Sequence, residues 1–589
     1  MLAECLQVFR KELEHYGERM ILDGYILVDG TYLLVDSAGE IITVMDIQMD
    51  KKTRQIDKSN SRYRDFCYYD WHSKLISTQK PQDSSKIIHS NNYLSFWVKK
   101  DNLKSGKLKQ ENIDQFYECL SHPESKYDKK KKSKVIYQNV REILGEVDQE
   151  KLKRCHKWIS EHIWELENIV SDIELDRNGY LKIFFEDDYE QYEKEEKRYL
   201  LPNIYNKNDY NVEVQGETLG LPNDNLGMNA KKPYLAMKTR KCAAPYLLNS
   251  EQVLLQKQFF DYLMNQVAVG KNNLYVDMER QCFFPCSNTE YPKGTFRGIY
   301  LRLEKGMEVE IHSQDVIPYY NNRLKEPFVF ENHLKLEHKK HPDYQYAYTK
   351  YHHYSEIEQL IDEIFFSKEL VNLYHTEIDN IRIKDGILKQ NLLVSRECLF
   401  DWLHKGIDRY VYTTINKCSL ELIKGLLIKG YQYREKAARQ LNLRWSLQRY
   451  LKKGGKDMPS VFSEVRNTLR EKVRAKDTME IESADEYYFA VGQLAAYFIS
   501  LNKSGNKKQS LINTFVNAKT DKGIKERIKQ CYIKYNYRID EADRRTKNLI
   551  AMVEGYEPDA PVNQEMIITG YACSNLINET EEKQHEDRK

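Results

Sequence analysis

Five of the chain's histidines, His333, His338, His341, His352 and His353, fall in one short segment. Imidazole is a common metal ligand, and His338-x2-His341 can put two rings on one face of a helix. If carboxylates converged on such a cluster, the metal would activate water for hydrolysis, the chemistry of a metal-dependent nuclease. The local residues favour a loop instead. Pro342 directly follows His341, and an aromatic run occupies 344–351. Cys282-x3-Cys286 is the one close cysteine pair, and a zinc knuckle needs a second pair that the eleven cysteines do not supply.

A different chemistry sits in 221–249, LPNDNLGMNAKKPYLAMKTRKCAAPYLLN. Its first part is rich in Asn, Asp, Gly and Pro, residues that tolerate positive φ or close local turns. It then turns basic, with Lys231, Lys232, Lys238, Arg240 and Lys241, the hydroxyl of Thr239 among them and no acid across 230–249. Lysine and arginine neutralise phosphates. The amides of Asn225 and Asn229 offer both donors and acceptors to base edges. A second basic concentration follows near the C-terminus and includes Lys525, Lys529, Arg544 and Arg545. No Walker A phosphate loop, GxSxG elbow or Rossmann glycine fingerprint is present, and nothing pairs Cys, Ser and His residues. By spacing alone the basic segment fits an ordinary surface loop and solvated edge strand as readily as a phosphate-binding one; the motif search points to a protein that is not an enzyme, with no cofactor or metal, a metal-dependent nuclease on His333–His353 being the alternative.

Composition bounds the elements that must carry these residues. A chain of 589 residues suggests roughly three to four units. Hydrophobic residues make up 41%, enough for real cores, while 31% charged residues leave wide polar surfaces. Net charge is only +2, so binding to nucleic acid must come from local patches rather than a global field. The scattered cysteines imply a reduced, cytoplasmic protein. The first residues carry acids and a helical apolar stripe, unlike a secretion signal. No apolar run approaches a membrane span.

The expected fold is α+β: a mixed α/β N-terminal body with antiparallel strands, then a helical C-terminal half ending in a bundle. In order, the sequence predicts a first helix, then a meander over 20–45 with a hairpin at Asp29-Gly30. An irregular aromatic stretch follows over 62–80, then a strand over 89–100 and a helix near 112–120. The lysine run at 129–134 reads as a solvated connector. An amphipathic helix is expected over 149–173, with Leu152, Cys155, Trp158, Ile159, Ile163 and Leu166 inward. A strand at 181–185 precedes an acidic patch at 186–196. A helix over 250–266 and strands near 273–276 and 296–303 follow, with 294–298 as a loop. Ser355 and Glu358 read as a capping box opening the helical half. A basic helix is expected over 422–453, ended by Gly454-Gly455. Shorter helices run to 577. The regions are 1–200, 201–330, 331–457, a bundle at 458–577 and a disordered tail at 578–589.

The stretch NLGMNAKKPYLAMKTRKCAAPYLL, followed by an apolar helix with LLQKQFFDYL, resembles the large subunit of type I-B CRISPR surveillance (Cascade) complexes. Further segments match that family in order. SNNYLSFWVKKDNLKSGKLKQENIDQFYECL resembles its N-terminal part and LRLEKGMEVEIHSQDVIP its middle. EYYFAVGQLAAYFIS, FVNAKT and MVEGYEPDAPVNQEMIITGY resemble its C-terminal part. No single motif is diagnostic; the ordered set, spanning about 21–577, carries the resemblance. It implies a non-catalytic subunit that inspects target double-stranded DNA for a protospacer-adjacent motif and helps open it. It also implies contact with the guide crRNA, the displaced strand, and the backbone and 5′-handle-binding subunits. A separate helicase–nuclease would do the cutting. Protein would read the short motif and base pairing the sequence.

The C-terminal bundle resembles the small subunit of the same complexes, which some type I-B systems make from an internal start in the large-subunit gene. Gly454-Gly455-Lys456-Asp457-Met458 allows a GGAGG ribosome-binding signal just before the Met458 codon. The sequence thus predicts a second product beginning at Met458, with Met479 as the competing start.

Overall fold

A computed structural model describes residues 1–50, 56–128, 131–169, 178–208, 211–223, 247–306, 308–334, 348–452, 457–502, 510–540 and 543–579. The fold is α+β, with sheets in the N-terminal half and helices in the C-terminal half. The chain divides into two compact units. One comprises 1–287 and 298–316, the other 288–297 and 317–589.

The first unit is built around a four-stranded sheet ordered Ile41–Ile47, Gly30–Val35, Tyr180–Phe185, Ser95–Lys99. Gly30–Val35 is buried at every position, so both its faces are covered. Tyr32, Phe66 and Phe184 form one aromatic contact set, and Phe96 meets Phe116 edge-on at 6.1 Å. The strands are not all antiparallel: Gly30–Val35 runs parallel to Tyr180–Phe185. That pairing explains Gly30, because a Cβ there would come within 2.5 Å of the Tyr180 carbonyl oxygen. Asp29-Gly30 therefore opens a strand rather than a hairpin. The turn lies at 36–40, where Asp36 Oδ1 accepts from the backbone of Ala38 and Glu40. A second sheet is ordered Val309–Asn321, Thr295–Lys305, Asn273–Asp277, Cys282–Cys286. Thr295 to Gly298 thus belong to a strand and not to a loop.

Several helices of this unit replace expected irregular chain. Residues expected to be irregular form Tyr63–His72, with eight of ten side chains buried. Tyr spacing hid this helix because its inward face is aromatic and polar instead of aliphatic. The lysine run opens Lys131–Leu144. The acidic patch is the first half of Tyr189–Asn203, which buries Glu195 and Glu196 against cations. The expected 149–173 helix is confirmed in its buried face but ends at His162, and Trp164 is exposed. Ser250–Ala268 matches expectation, capped by Asn249.

In the second unit, an antiparallel hairpin of Arg323–Glu331 and Tyr348–His353 precedes the helices. The capping box at the first helix, Tyr354–Ile364, is His353 with Glu356 rather than Ser355 with Glu358. The expected basic helix is two: Val411–Lys429 and Arg434–Leu451, separated at Gly430. Ala484–Ser500 is apolar almost all round and is the centre of the bundle, as a fully surrounded helix should be. Met458–Arg474, Ser510–Val516, Asp521–Tyr535, Arg544–Gly555 and Gln564–Ala572 surround it. The core continues past Met458 towards the N-terminus: Ile423, Leu427, Leu441 and Trp445 belong to the same cluster. Glu579 is nearly buried and accepts from Arg466, Arg470 and Arg474, so the chain is still docked at that point.

Candidate nucleic-acid interface

Asn225, Asn229, Lys231, Lys232, Lys238, Thr239, Arg240 and Lys241 lie outside the described residues, as do His338, His341 and Gly454-Gly455. The flanks of the Asn/Lys segment are described, and they meet. Gly220 and Leu248 exchange both backbone hydrogen bonds at 2.9 Å, and Tyr205 bridges to Pro222. The Asn223 backbone N–H donates to the Ile204 carbonyl at 2.7 Å. The chain therefore enters and leaves the segment at one anchored point.

The second basic concentration lies on Asp521–Tyr535 and at the start of Arg544–Gly555. This helix buries Ile524, Ile528, Cys531 and Tyr535, a stripe at helical spacing that fixes which side faces solvent. On the outer side Lys522, Lys529, Tyr532, Ile533 and Lys534 are exposed, and Tyr537 just beyond is 74% exposed. Exposed tyrosines among lysines form the combination that binds single-stranded nucleic acid, with bases stacking on rings and phosphates on cations. The four residues expected here divide into two kinds. Lys529 is open, with Glu554 at 3.4 Å as a screened partner, and Arg544 is exposed. Lys525 donates to the Tyr556 carbonyl at 2.6 Å, and Arg545 to those of Ile577 and Glu579. These two hold the bundle together and have little reach left for a phosphate. Sequence reasoning could count the cations but missed that Tyr532 and Tyr537 are exposed beside them.

A cavity of about 760 Å³ opens beside Met458, lined by Tyr412, Arg444, Trp445, Arg449, Lys452 and Glu565 among others. Its cations are largely matched internally. Arg444 makes a two-pronged contact with Glu565 at 3.0 and 2.9 Å, and Trp445 Nε1 donates to the same carboxylate at 2.9 Å. Arg449 pairs with Asp457 at 2.7 Å and Glu331 at 2.6 Å. Lys452 lies 5.3 Å above the Tyr412 ring. The lining comes from residues more than a hundred positions apart, so no local spacing could reveal it.

The described histidines of the 333–353 segment do not converge. His353 pairs with Arg323 at one end of the hairpin, whereas His333 lies just past the Glu331–Tyr348 pair at the other. Those ends are about 17 Å apart at the strand rise per residue. His333 Nε2 lies 2.6 Å from Glu331, and burial holds its imidazole below the ordinary value despite that carboxylate. His353 is spent on the helix cap with Glu356. Compared with family models, with curated proteins and with solved structures, the chain matches none of them.

Proposed function

We propose that this chain is the non-catalytic large subunit of a type I-B CRISPR RNA-guided surveillance complex. In this reading it recognises the protospacer-adjacent motif in duplex DNA, contacts the guide crRNA and the DNA backbone, and helps recruit the helicase–nuclease. The observation that carries the reading is the ordered set of sequence segments across 21–577 that resemble that family. Two structural features support it. The Asn/Lys segment is anchored at Gly220 and Leu248, which gives motif-reading residues a fixed origin. The Lys522–Tyr537 surface of the bundle suits the displaced single strand or the heteroduplex backbone. Translation from Met458 would also supply the bundle as a separate small subunit.

The test is DNA binding by the assembled complex, with and without the adjacent motif. Charge-neutral substitution of Lys231, Lys232, Arg240 and Lys241 together is expected to abolish binding to motif-containing target while assembly with crRNA and backbone subunits persists. Each lost phosphate contact should also flatten the salt dependence by about one counterion. Wild-type binding by the substituted complex would show the site assignment to be wrong. Failure of the wild-type chain to co-purify with crRNA and backbone subunits would overturn the functional reading itself.

A further inference from the structure

The His72 network lies in the first unit and uses none of the histidines that the sequence pattern singled out. His72 closes the helix Tyr63–His72 and is only 2% exposed. Its Nδ1 lies 2.6 Å from Glu196 Oε2, so this nitrogen carries the proton and donates to the carboxylate. Glu196 is fixed in turn, because Lys257 Nζ reaches its other oxygen at 3.3 Å and also reaches Asp261 at 3.1 Å. The ring is clamped further by Tyr68, one helical turn earlier, at 4.3 Å between ring centroids.

Nε2 of His72 is buried with no partner at hydrogen-bond distance; the nearest carboxylate oxygen, from Glu18, is 3.8 Å away and pairs with the ring when it is protonated. Burial lowers the imidazole, but Glu196 and Glu18 outweigh it and raise it to about 9, so an ion at Nε2 has to displace that proton. Around Nε2 stand two carboxylates from separate parts of the chain. Glu18 precedes Arg19–Leu22, and Glu193 lies on Tyr189–Asn203, one turn before Glu196. One ligand atom each from Glu18, His72 and Glu193 all fall within 4.8 Å of one another. Tyr68 Oη donates to Glu193 Oε1 at 2.9 Å, which orients that carboxylate. Lys197 lies 3.4 Å from the other oxygen and is the one cation competing for it among the contacts described.

We infer that Glu18, His72 and Glu193 form a binding site for a divalent transition-metal ion, with Glu196 as the carboxylate that orients the imidazole. One nitrogen and two carboxylates suit Zn²⁺ or Mn²⁺ better than Ca²⁺, which takes oxygen ligands. A histidine whose far nitrogen donates to a carboxylate is the usual support for a metal ligand. Donors around such an ion sit about 3.4 Å apart in a tetrahedron with bonds near 2.1 Å. The carboxylates must therefore close in by roughly an ångström. They can, since Glu18 and Glu193 are about one-third exposed, at 33% and 34%, while His72 is held rigid. Water would complete the shell on that exposed side. The ion would tie three separate parts of the first unit together. This inference is independent of the functional reading above, which requires no metal.

The test uses the full chain, stripped with EDTA and then titrated calorimetrically with ZnCl₂ and, separately, MnCl₂, with bound metal counted by mass spectrometry. One ion per chain is expected for at least one of the two metals. Glu18→Gln and Glu193→Gln should each weaken uptake at least tenfold; both side chains are partly exposed, and the amide at 193 keeps an oxygen for Tyr68. Glu190→Gln, on the exposed side of the same helix, should bind like wild type. The metal should also raise the melting temperature of the wild type but not of Glu193→Gln. Absence of stoichiometric metal, or unchanged uptake in both ligand variants, would overturn the site. A test on Co²⁺-loaded protein adds a direct signature: a visible absorption band that disappears in Glu193→Gln.

Discussion

Glu358 shows how much a single side chain can organise in this protein. Its carboxylate is buried and accepts from His404 Nε2 at 2.8 Å, from Tyr374 at 2.6 Å and from Tyr291. Burial alone would raise the carboxyl, but His404 and the two hydroxyls overcome it and hold the group below its ordinary value of 4.5. The folded state therefore favours the carboxylate. Its contribution to stability is full above that ordinary value and is lost as the pH falls through the depressed folded value. Glu358→Gln removes the charge from a site built for it and is expected to cost roughly 2 kcal/mol near neutral pH. The variant should also lose part of the wild type's acid sensitivity. Denaturant midpoints measured from pH 7 down to pH 3 check this, and parallel curves for the two proteins would refute it. Nothing in the local spacing signals this role: Glu358 reads as a helix-capping residue, because its partners are 16, 46 and 67 positions away. His72 was silent for the same reason. Its carboxylates come from positions far apart in the chain, and only the fold assembles them.

At the scale of elements, the clearest close approach is between Ala484–Ser500 and Gln564–Ala572. They cross at Gly492 and Gly570. A Cβ at Gly492 would come within 2.2 Å of the Ile567 carbonyl oxygen, and one at Gly570 within 2.2 Å of that of Phe489. Both obstacles are backbone and cannot swing aside. Gly492→Ala or Gly570→Ala must therefore push the helices apart, at about 1–3 kcal/mol each, even though alanine favours an isolated helix. Thermal unfolding should show both variants less stable than wild type, and a rise in melting temperature for either would show that the crossing is looser than described. The apolar content of these two helices was legible in the sequence, as were Ser250–Ala268 and the buried face of Gln149–His162, because each carries a strong apolar stripe. Tyr63–His72 and Tyr189–Asn203 were not legible. Their inward faces carry tyrosine, histidine and glutamate, whose burial depends on partners that sequence periodicity does not supply.

At the scale of the molecule, the second unit bears on the predicted product from Met458. That product would begin within a helix turn of a sound boundary, because Met458 is the first residue of Met458–Arg474. Its core, however, is not self-contained. In the full chain Trp445 packs on Phe462 at 5.7 Å between ring centroids and donates to Glu565. Arg444 neutralises the same carboxylate, and Arg434 Nε donates to the carbonyl of Ala572 at 2.9 Å. Cutting before Met458 removes all of these. It leaves Phe462 without its cover, Glu565 without Arg444 and the Trp445 N–H, and the end of Gln564–Ala572 without the Arg434 donor. A fragment of 458–589 expressed alone is therefore expected to melt at lower temperature than a fragment of 317–589 and to self-associate as its concentration rises. Glu565→Gln should narrow that gap, because it removes the charge that the missing arginine would have matched. Sedimentation and thermal melting of the two fragments decide the matter. A monomeric 458–589 as stable as the longer fragment would mean that the helix Arg434–Leu451 contributes packing the bundle does not need. If the shorter fragment is instead unstable by itself, a freestanding small subunit must find its cover in an assembly, and the face that Trp445 and Arg444 occupy in the full chain is where a partner would have to bind.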